Sequence, residues 1–102
     1  MAQVIAIYKT PADTAAFDAH YHATHMPLAK TMPGLRSYQI SVGKVSTAPG
    51  GNAPYLVALL GFDSMEAIGA ALNSPQGQAT AADLGNFAQA GVDLLMVDTR
   101  EV

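Results

Sequence analysis

The chain has 102 residues, of which 50% are hydrophobic and 13% charged, with a formal net charge of −3. That length makes one small domain, and a charged share about half the usual one points to a surface partly hidden against a partner. The five Lys and Arg are scattered and cysteine is absent, which argues against nucleic acid and anionic membrane as partners and removes disulfides, cysteine zinc sites and iron–sulfur ligation. No apolar run approaches about 18 residues, the length that would suggest a spanning helix. Met1-Ala2-Gln3 leads straight into Val4–Ile7 without a basic segment, so no signal peptide is expected, and the expected location is the cytoplasm.

Val4–Lys9 is a short β-branched run closed by Pro11, a first strand apolar on both faces. Asp13 or Thr14 then offers a helix cap. Helical phasing puts Phe17, Tyr21, Thr24 and Leu28 on one stripe. Pro27 removes a backbone donor and opposes helical geometry at Met26, so a kink or restart is expected there, with a short piece reaching Thr31. Such a break would set His25 at a helix C-terminus, where carbonyls favour a protonated or hydrogen-bonding ring. Pro33-Gly34 is a turn. Arg36–Val45 alternates, with Tyr38, Ile40 and Val42 on one side, as in a half-wet or edge strand. Residues 46–54, STAPGGNAP, form a loop without packing residues.

Tyr55–Phe62 is apolar on both faces and reads as a central strand. Ser64 caps a helix whose apolar stripe is Met65, Ile68, Ala71 and Leu72. Ser74-Pro75 restarts a helix with proline in its first turn, and this helix continues through Phe87 to a stop at Gly91. Val92–Thr99 is the last strand. There is no repeat, linker or second domain, so residues 1–102 form a single unit. The order strand, helix, strand, strand, helix, strand is the ferredoxin-like split βαβ arrangement, an α+β fold with a four-stranded antiparallel sheet. Two helices can cover one face of such a sheet. The other face is also apolar, so a second copy of the chain, sheet against sheet, is the expected cover.

Chemistry is expected around the first helix. On an ideal helix His20, His22 and His25 point at about 300°, 140° and 80° from Phe17. His20 therefore cannot share an ion with the other two, and nothing nearby completes a metal set. His20 and His22 read as flank or surface residues. His25 borders the apolar stripe, and two readings stay open: a proton carrier, or a ring that locks the helix break. Asp83 is a solvated carboxylate, a group that orients an imidazole, or itself a base. Tyr8, Tyr21 and Phe87 are equally well explained as pocket walls or as core. Phe17 and Leu28 sit on the core stripe.

The run from Phe17 to Leu35, FDAHYHATHMPLAKTMPGL, and the stretch 61–88, GFDSMEAIGAALNSPQGQATAADLGNFA, resemble the paired motifs of the EthD family. With the first and last strands, the likeness covers nearly the whole chain. His25-Met26-Pro27-Leu28-Ala29 and Ser74-Pro75 with Asp83, Asn86 and Phe87 are its more specific parts. The resemblance implies a dimeric α/β barrel with a pocket between helices and sheet in each subunit. His25, Tyr8, Asp83, Asn86 and Phe87 fall at pocket positions, and Tyr21 and Leu28 are expected as further walls. The family is named after a gene cluster for fuel-ether (ethyl tert-butyl ether) degradation, and an oxidoreductase label is sometimes attached to it. Related folds cyclise polyketides, isomerise lactones or oxidise aromatic compounds, several without metal or flavin. One departure is Gly61, where the family often carries a bulky aromatic; the expected consequence is a wider pocket. The expected activity is that of a cofactor-independent enzyme on a small hydrophobic metabolite, with His25 moving a proton and Asp83 or Tyr8 orienting it or stabilising charge. The alternatives are a non-catalytic accessory that holds such a ligand for a partner oxygenase, and a haem-binding barrel with one of the three histidines as axial ligand.

Overall fold

A computed structural model describes residues 1–102. Its elements are β1 (Ala2–Tyr8), α1 (Thr14–His20), a π-helical turn (Tyr21–His25), α2 (Met26–Ala29), β2 (Ser37–Ile40), β3 (Leu56–Phe62), α3 (Met65–Asn73), α4 (Pro75–Phe87) and β4 (Val92–Asp98). The strands make one antiparallel sheet in the order β2-β3-β1-β4. This is the ferredoxin-like α+β topology that the element order predicts. The two apolar runs, β1 and β3, take the centre, and the alternating run β2 takes an edge.

Period-two alternation decides what each face does. Ala2, Val4, Ala6 and Tyr8 of β1 point to the helices with Ala58, Leu60 and Phe62 of β3, and all seven are buried. The intervening residues point away from the helices. Ile5 pairs with Leu59 and Leu95, and Ile7 with Val57. No element of the chain lies over these side chains; Ile5, Ile7, Val57, Leu59 and Val97 are half-buried and Leu95 is exposed.

The helical layer is fixed by its caps. The Asp13 carboxylate accepts from the Ala16 N–H, the Ser64 hydroxyl from Ala67 and the Ser74 hydroxyl from Gly77. Each satisfies a backbone donor that the first turn leaves free. Ser74 ends α3 and starts α4 at once, because its extended backbone breaks the helical path and Pro75 needs no donor. Gly77 allows the two helices to touch: a Cβ there would lie 2.0 Å from the Ala71 carbonyl oxygen.

Three expectations are corrected. The restart is present as α2, with Pro27 in its first turn, but the helix does not end at His25. Its backbone stays right-handed through His25 (φ −68°, ψ −46°) and Met26 (φ −61°, ψ −49°), and the Met26 N–H reaches back five residues to the Tyr21 carbonyl. A regular α-turn would drive the proline ring into the carbonyl four residues earlier, and a wider turn takes up the extra residue instead. The insertion moves the buried stripe by one. The buried series is Phe17, Tyr21, His25 and Ala29, while Thr24 is exposed and Leu28 only half-buried. The second correction is β2, which stops at Ile40. Val42 is 95% exposed, and Gly43 turns the chain with φ +72°. The third is Gly61. It pairs with Gln3 and Ser37 on the face away from the helices, so its missing side chain accommodates the Ser37 hydroxyl and widens no pocket on the helical side.

Candidate functional site

An aromatic cluster fills the space between the helices and β1. Tyr8, Phe17, Tyr21 and Phe87 meet pairwise with ring centroids 5.2–5.9 Å apart, mostly edge to face. Each such contact contributes about 0.5–1.5 kcal/mol beyond burial, so the cluster is a rigid wall. Tyr21 closes one side by a hydroxyl–hydroxyl bond to Tyr38 of β2.

Set into this wall is a polar group of three. The π turn places His20 and His25, five residues apart, on the same face of the helix, where they meet Asp83 of α4. His20 Nε2 lies 2.9 and 3.1 Å from the two Asp83 oxygens, and His25 Nδ1 lies 2.8 Å from Oδ2. The Asn86 side-chain amide donates to Oδ1 at 3.0 Å. Asp83 and His25 are 6% and 4% exposed, whereas the His20 side chain is 28% exposed. Phe87 packs against both imidazoles, with centroids at 5.2 and 4.7 Å.

Burial pushes the Asp83 carboxyl up. The hydrogen bonds from Asn86, His20 and His25 outweigh it and leave the group below the ordinary carboxylate value. Asp83 is therefore an ionised acceptor, and each ring nitrogen facing it carries a hydrogen. That fixes His25 as the Nδ1–H tautomer, with Nε2 free to accept. Burial lowers the pKa of His25 below its ordinary 6.5, partly offset by the Asp83 hydrogen bond and charge and reinforced by His20. At neutral pH the ring is a base. Of the expected protonated or hydrogen-bonding ring, the second is found, with Asp83 rather than a helix-end carbonyl as partner, and burial keeps the ring neutral.

His25 and Tyr8 line a cavity of about 70 Å³ between the sheet and α4, together with Tyr38, Leu60, Thr80, Leu84 and Leu94 among others. No side-chain nitrogen or oxygen is both sealed off and unpartnered. His25 Nε2 and the Tyr8 hydroxyl have no protein partner and are not sealed off, and both residues line this space. Burial, with the nearby Tyr38 and Asp83, raises the Tyr8 pKa well above its ordinary value, so its hydroxyl remains a donor.

Of the residues expected as pocket, the structure brings His25, Asp83 and Tyr8 together. Tyr21 and Phe87 stand behind the cavity as the wall that holds the imidazoles. Asn86 is exposed and buttresses Asp83 from a separate outer groove of about 650 Å³, which His20 also lines. Leu28 does not line the cavity; the one-residue shift puts Ala29 there. His22 is exposed beside a second outer groove and stays out of the cluster. Sequence phasing missed His20. The signal that could have found it is the proline two residues after the third histidine, which a helix accommodates by a kink or a wider turn.

The EthD domain profile matches residues 9–91. An "uncharacterized 11.0 kDa protein in thcB-thcC intergenic region" of Rhodococcus erythropolis is 41% identical over the whole of this chain and 98% of its own length. The crystal structure of an ethyl tert-butyl ether degradation (EthD) family protein from Bacillus halodurans is 32% identical, covers 98% of this chain and 99% of that one, and has a TM-score of 0.87. SnoaB, described as a cofactor-independent oxygenase from Streptomyces nogalater, is 15% identical with a TM-score of 0.66 over 99% of this chain and 94% of its own. Three other solved folds, 12–16% identical with TM-scores of 0.61–0.69, are described as dimeric ferredoxin-like proteins.

Proposed function

This chain belongs to the EthD family, and from that premise we propose that it is a cofactor-independent enzyme in which His25 takes a proton from a small, hydrophobic, carbonyl-bearing metabolite. The observation that carries this reading is a buried imidazole that lines an apolar cavity, its Nδ1–H held by an ionised carboxylate and its Nε2 without a protein partner. A proton on the carbon beside a carbonyl would pass to Nε2. Asp83 would stabilise the imidazolium, and the Tyr8 hydroxyl would donate to the carbonyl oxygen as charge builds on it. A low-polarity cavity strengthens each of these interactions.

Size limits the substrate. Whole-ligand pockets run to about 300–1,000 Å³, and about 70 Å³ is roughly two waters' share of liquid volume. Only the reacting end of a ligand fits, and its remainder would lie at the mouth, where Ala81 and Leu94 are exposed. The fold shared with a cofactor-independent oxygenase is consistent with chemistry of this kind without fixing its type.

The working unit in this reading is a homodimer. Ile5, Ile7, Val57, Leu59, Leu95 and Val97 form a continuous apolar face without a cover of their own, and similar folds are described as dimers. Light scattering is expected to give twice the 10.6 kDa chain mass. The test of the function is a screen of small ketones, lactones and phenols for binding, followed by turnover of the best ligand by the parent and by His25→Ala. Loss of at least a hundredfold in kcat with folding intact is expected. Unchanged turnover by the variant removes His25 from the chemistry.

A further inference from the structure

The proposed reaction uses His25, Asp83 and Tyr8, and leaves His20 without a role. Yet His20 is the one member of the cluster that bonds both oxygens of the carboxylate, at 2.9 and 3.1 Å. It lies outside the cavity, lines the outer groove instead, and stacks on the far side of the site against Phe87 at 5.2 Å with the rings 23° apart. We propose that His20 is a positioning residue for the reaction above: its two-pronged hydrogen bond holds the Asp83 carboxylate ionised and turned so that Oδ2 faces His25 Nδ1, which keeps the accepting nitrogen of His25 on the cavity side.

An aspartate side chain turns about two bonds, and a single contact to His25 leaves its carboxylate free to rotate about the second. Asn86 fixes one oxygen from the same helix, three residues on. His20 reaches both oxygens from the opposite helix, so it ties the rotation of Asp83 to the π turn that also carries His25. An imidazole can present a hydrogen at either nitrogen, and its partner decides which. With Oδ2 in place, Nδ1–H is selected. With the carboxylate turned away, nothing in the protein holds a hydrogen at Nδ1, and the Nε2–H form, which cannot accept a substrate proton, becomes populated. The groove side of His20 offers no competing hydrogen bond, so its ring is held by Asp83 and by stacking alone.

The test is nitrogen-15 NMR of the histidine rings at neutral pH in ligand-free parent, His20→Gln, His20→Ala and His20→Leu, with exposed His22 as internal control. Glutamine can place an amide N–H near the position of Nε2 without titrating; leucine keeps the packing on Phe87 without donating. The expected result is an essentially pure Nδ1–H tautomer at His25 in the parent and in the Gln variant, with at least a quarter of the population shifted to Nε2–H in the Ala and Leu variants. The proposal is overturned if Leu or Ala leaves the His25 tautomer unchanged, or if Gln behaves like Leu. If Ala unfolds the protein, the Leu variant decides. Because the experiment uses no ligand, a negative result removes His20 while leaving His25 to its own turnover test. A failed turnover test in turn leaves the tautomer result standing.

Discussion

The two helical arms lie on the same face of the sheet and supply the two halves of the site, but they are built by different rules. The second arm, α3 and α4, is regular. Two serine caps set its starts, a proline opens α4, and its residues sit where a 3.6-residue period puts them. The first arm carries an extra residue. Its π turn shifts every later side chain by one position and gathers two histidines, five apart, on one acceptor. The regular arm supplies the carboxylate, and the irregular arm brings the titratable rings that bond it. π turns are recurrent at functional sites for this reason: they place side chains that a standard helix would separate.

Substitutions can break or sharpen this contrast. The largest effect is expected in the regular arm. In Gly77→Ala the new Cβ would meet the Ala71 carbonyl oxygen at 2.0 Å and Leu72 Cα at 2.7 Å. Both are backbone, so the helices must separate, at a cost of about 3 kcal/mol or more. Urea unfolding measures it, and a loss below about 1 kcal/mol would mean that the α3–α4 contact is not close.

A pair of changes tests the shift in the irregular arm. Ala29 is 1% exposed, and Leu28 is half-buried. Ala29→Leu should cost about 1–3 kcal/mol by overpacking, and Leu28→Ala about 1 kcal/mol or less. A regular α-helix through Pro27 predicts the reverse order, so the ranking of two melting temperatures discriminates between them.

The smallest effect is in the pH dependence of stability. His25 has a folded pKa below its ordinary 6.5. On acidification the unfolded chain takes up this proton first, so stability falls as pH drops from about 6.5 toward the lowered value, by at most about 1.4 kcal/mol per pH unit. Asp83 adds a second loss at lower pH: its folded value lies below the ordinary 3.8, so its contribution disappears as pH falls from that value through the folded one. His25→Asn, which keeps an N–H for Asp83, should flatten the first slope and leave the second. If the parent and variant curves run parallel from pH 6.5 to 5, His25 is not held neutral by folding.

What could be read from the sequence follows the same division. A cap at Asp13 or Thr14, the cap at Ser64, the restart at Ser74-Pro75, the apolar strands β1 and β3 and the half-wet or edge character of β2 follow from local pattern, because each is set by near neighbours. His25 is legible as a titratable group bordering an apolar stripe, and its grouping with Tyr8 and Asp83 comes from the resemblance to the EthD family. The partnership of His20, the burial of Ala29 in place of Leu28 and the true orientation of Gly61 are not legible. The first two depend on one inserted residue that a constant period cannot register. Gly61 depends on strand register, which pairs it with Gln3 and Ser37 rather than with anything nearby in the chain.

The central claim is that His25 is a neutral base with Nδ1 tied to Asp83 and Nε2 open to the cavity. The most direct measurement is a nitrogen-15 NMR titration of the His25 ring in the ligand-free parent protein. Nδ1 should keep its hydrogen throughout, and Nε2 should take up a proton with a midpoint below 6.5. A midpoint at or above that value, or a neutral ring with its hydrogen on Nε2, would contradict it.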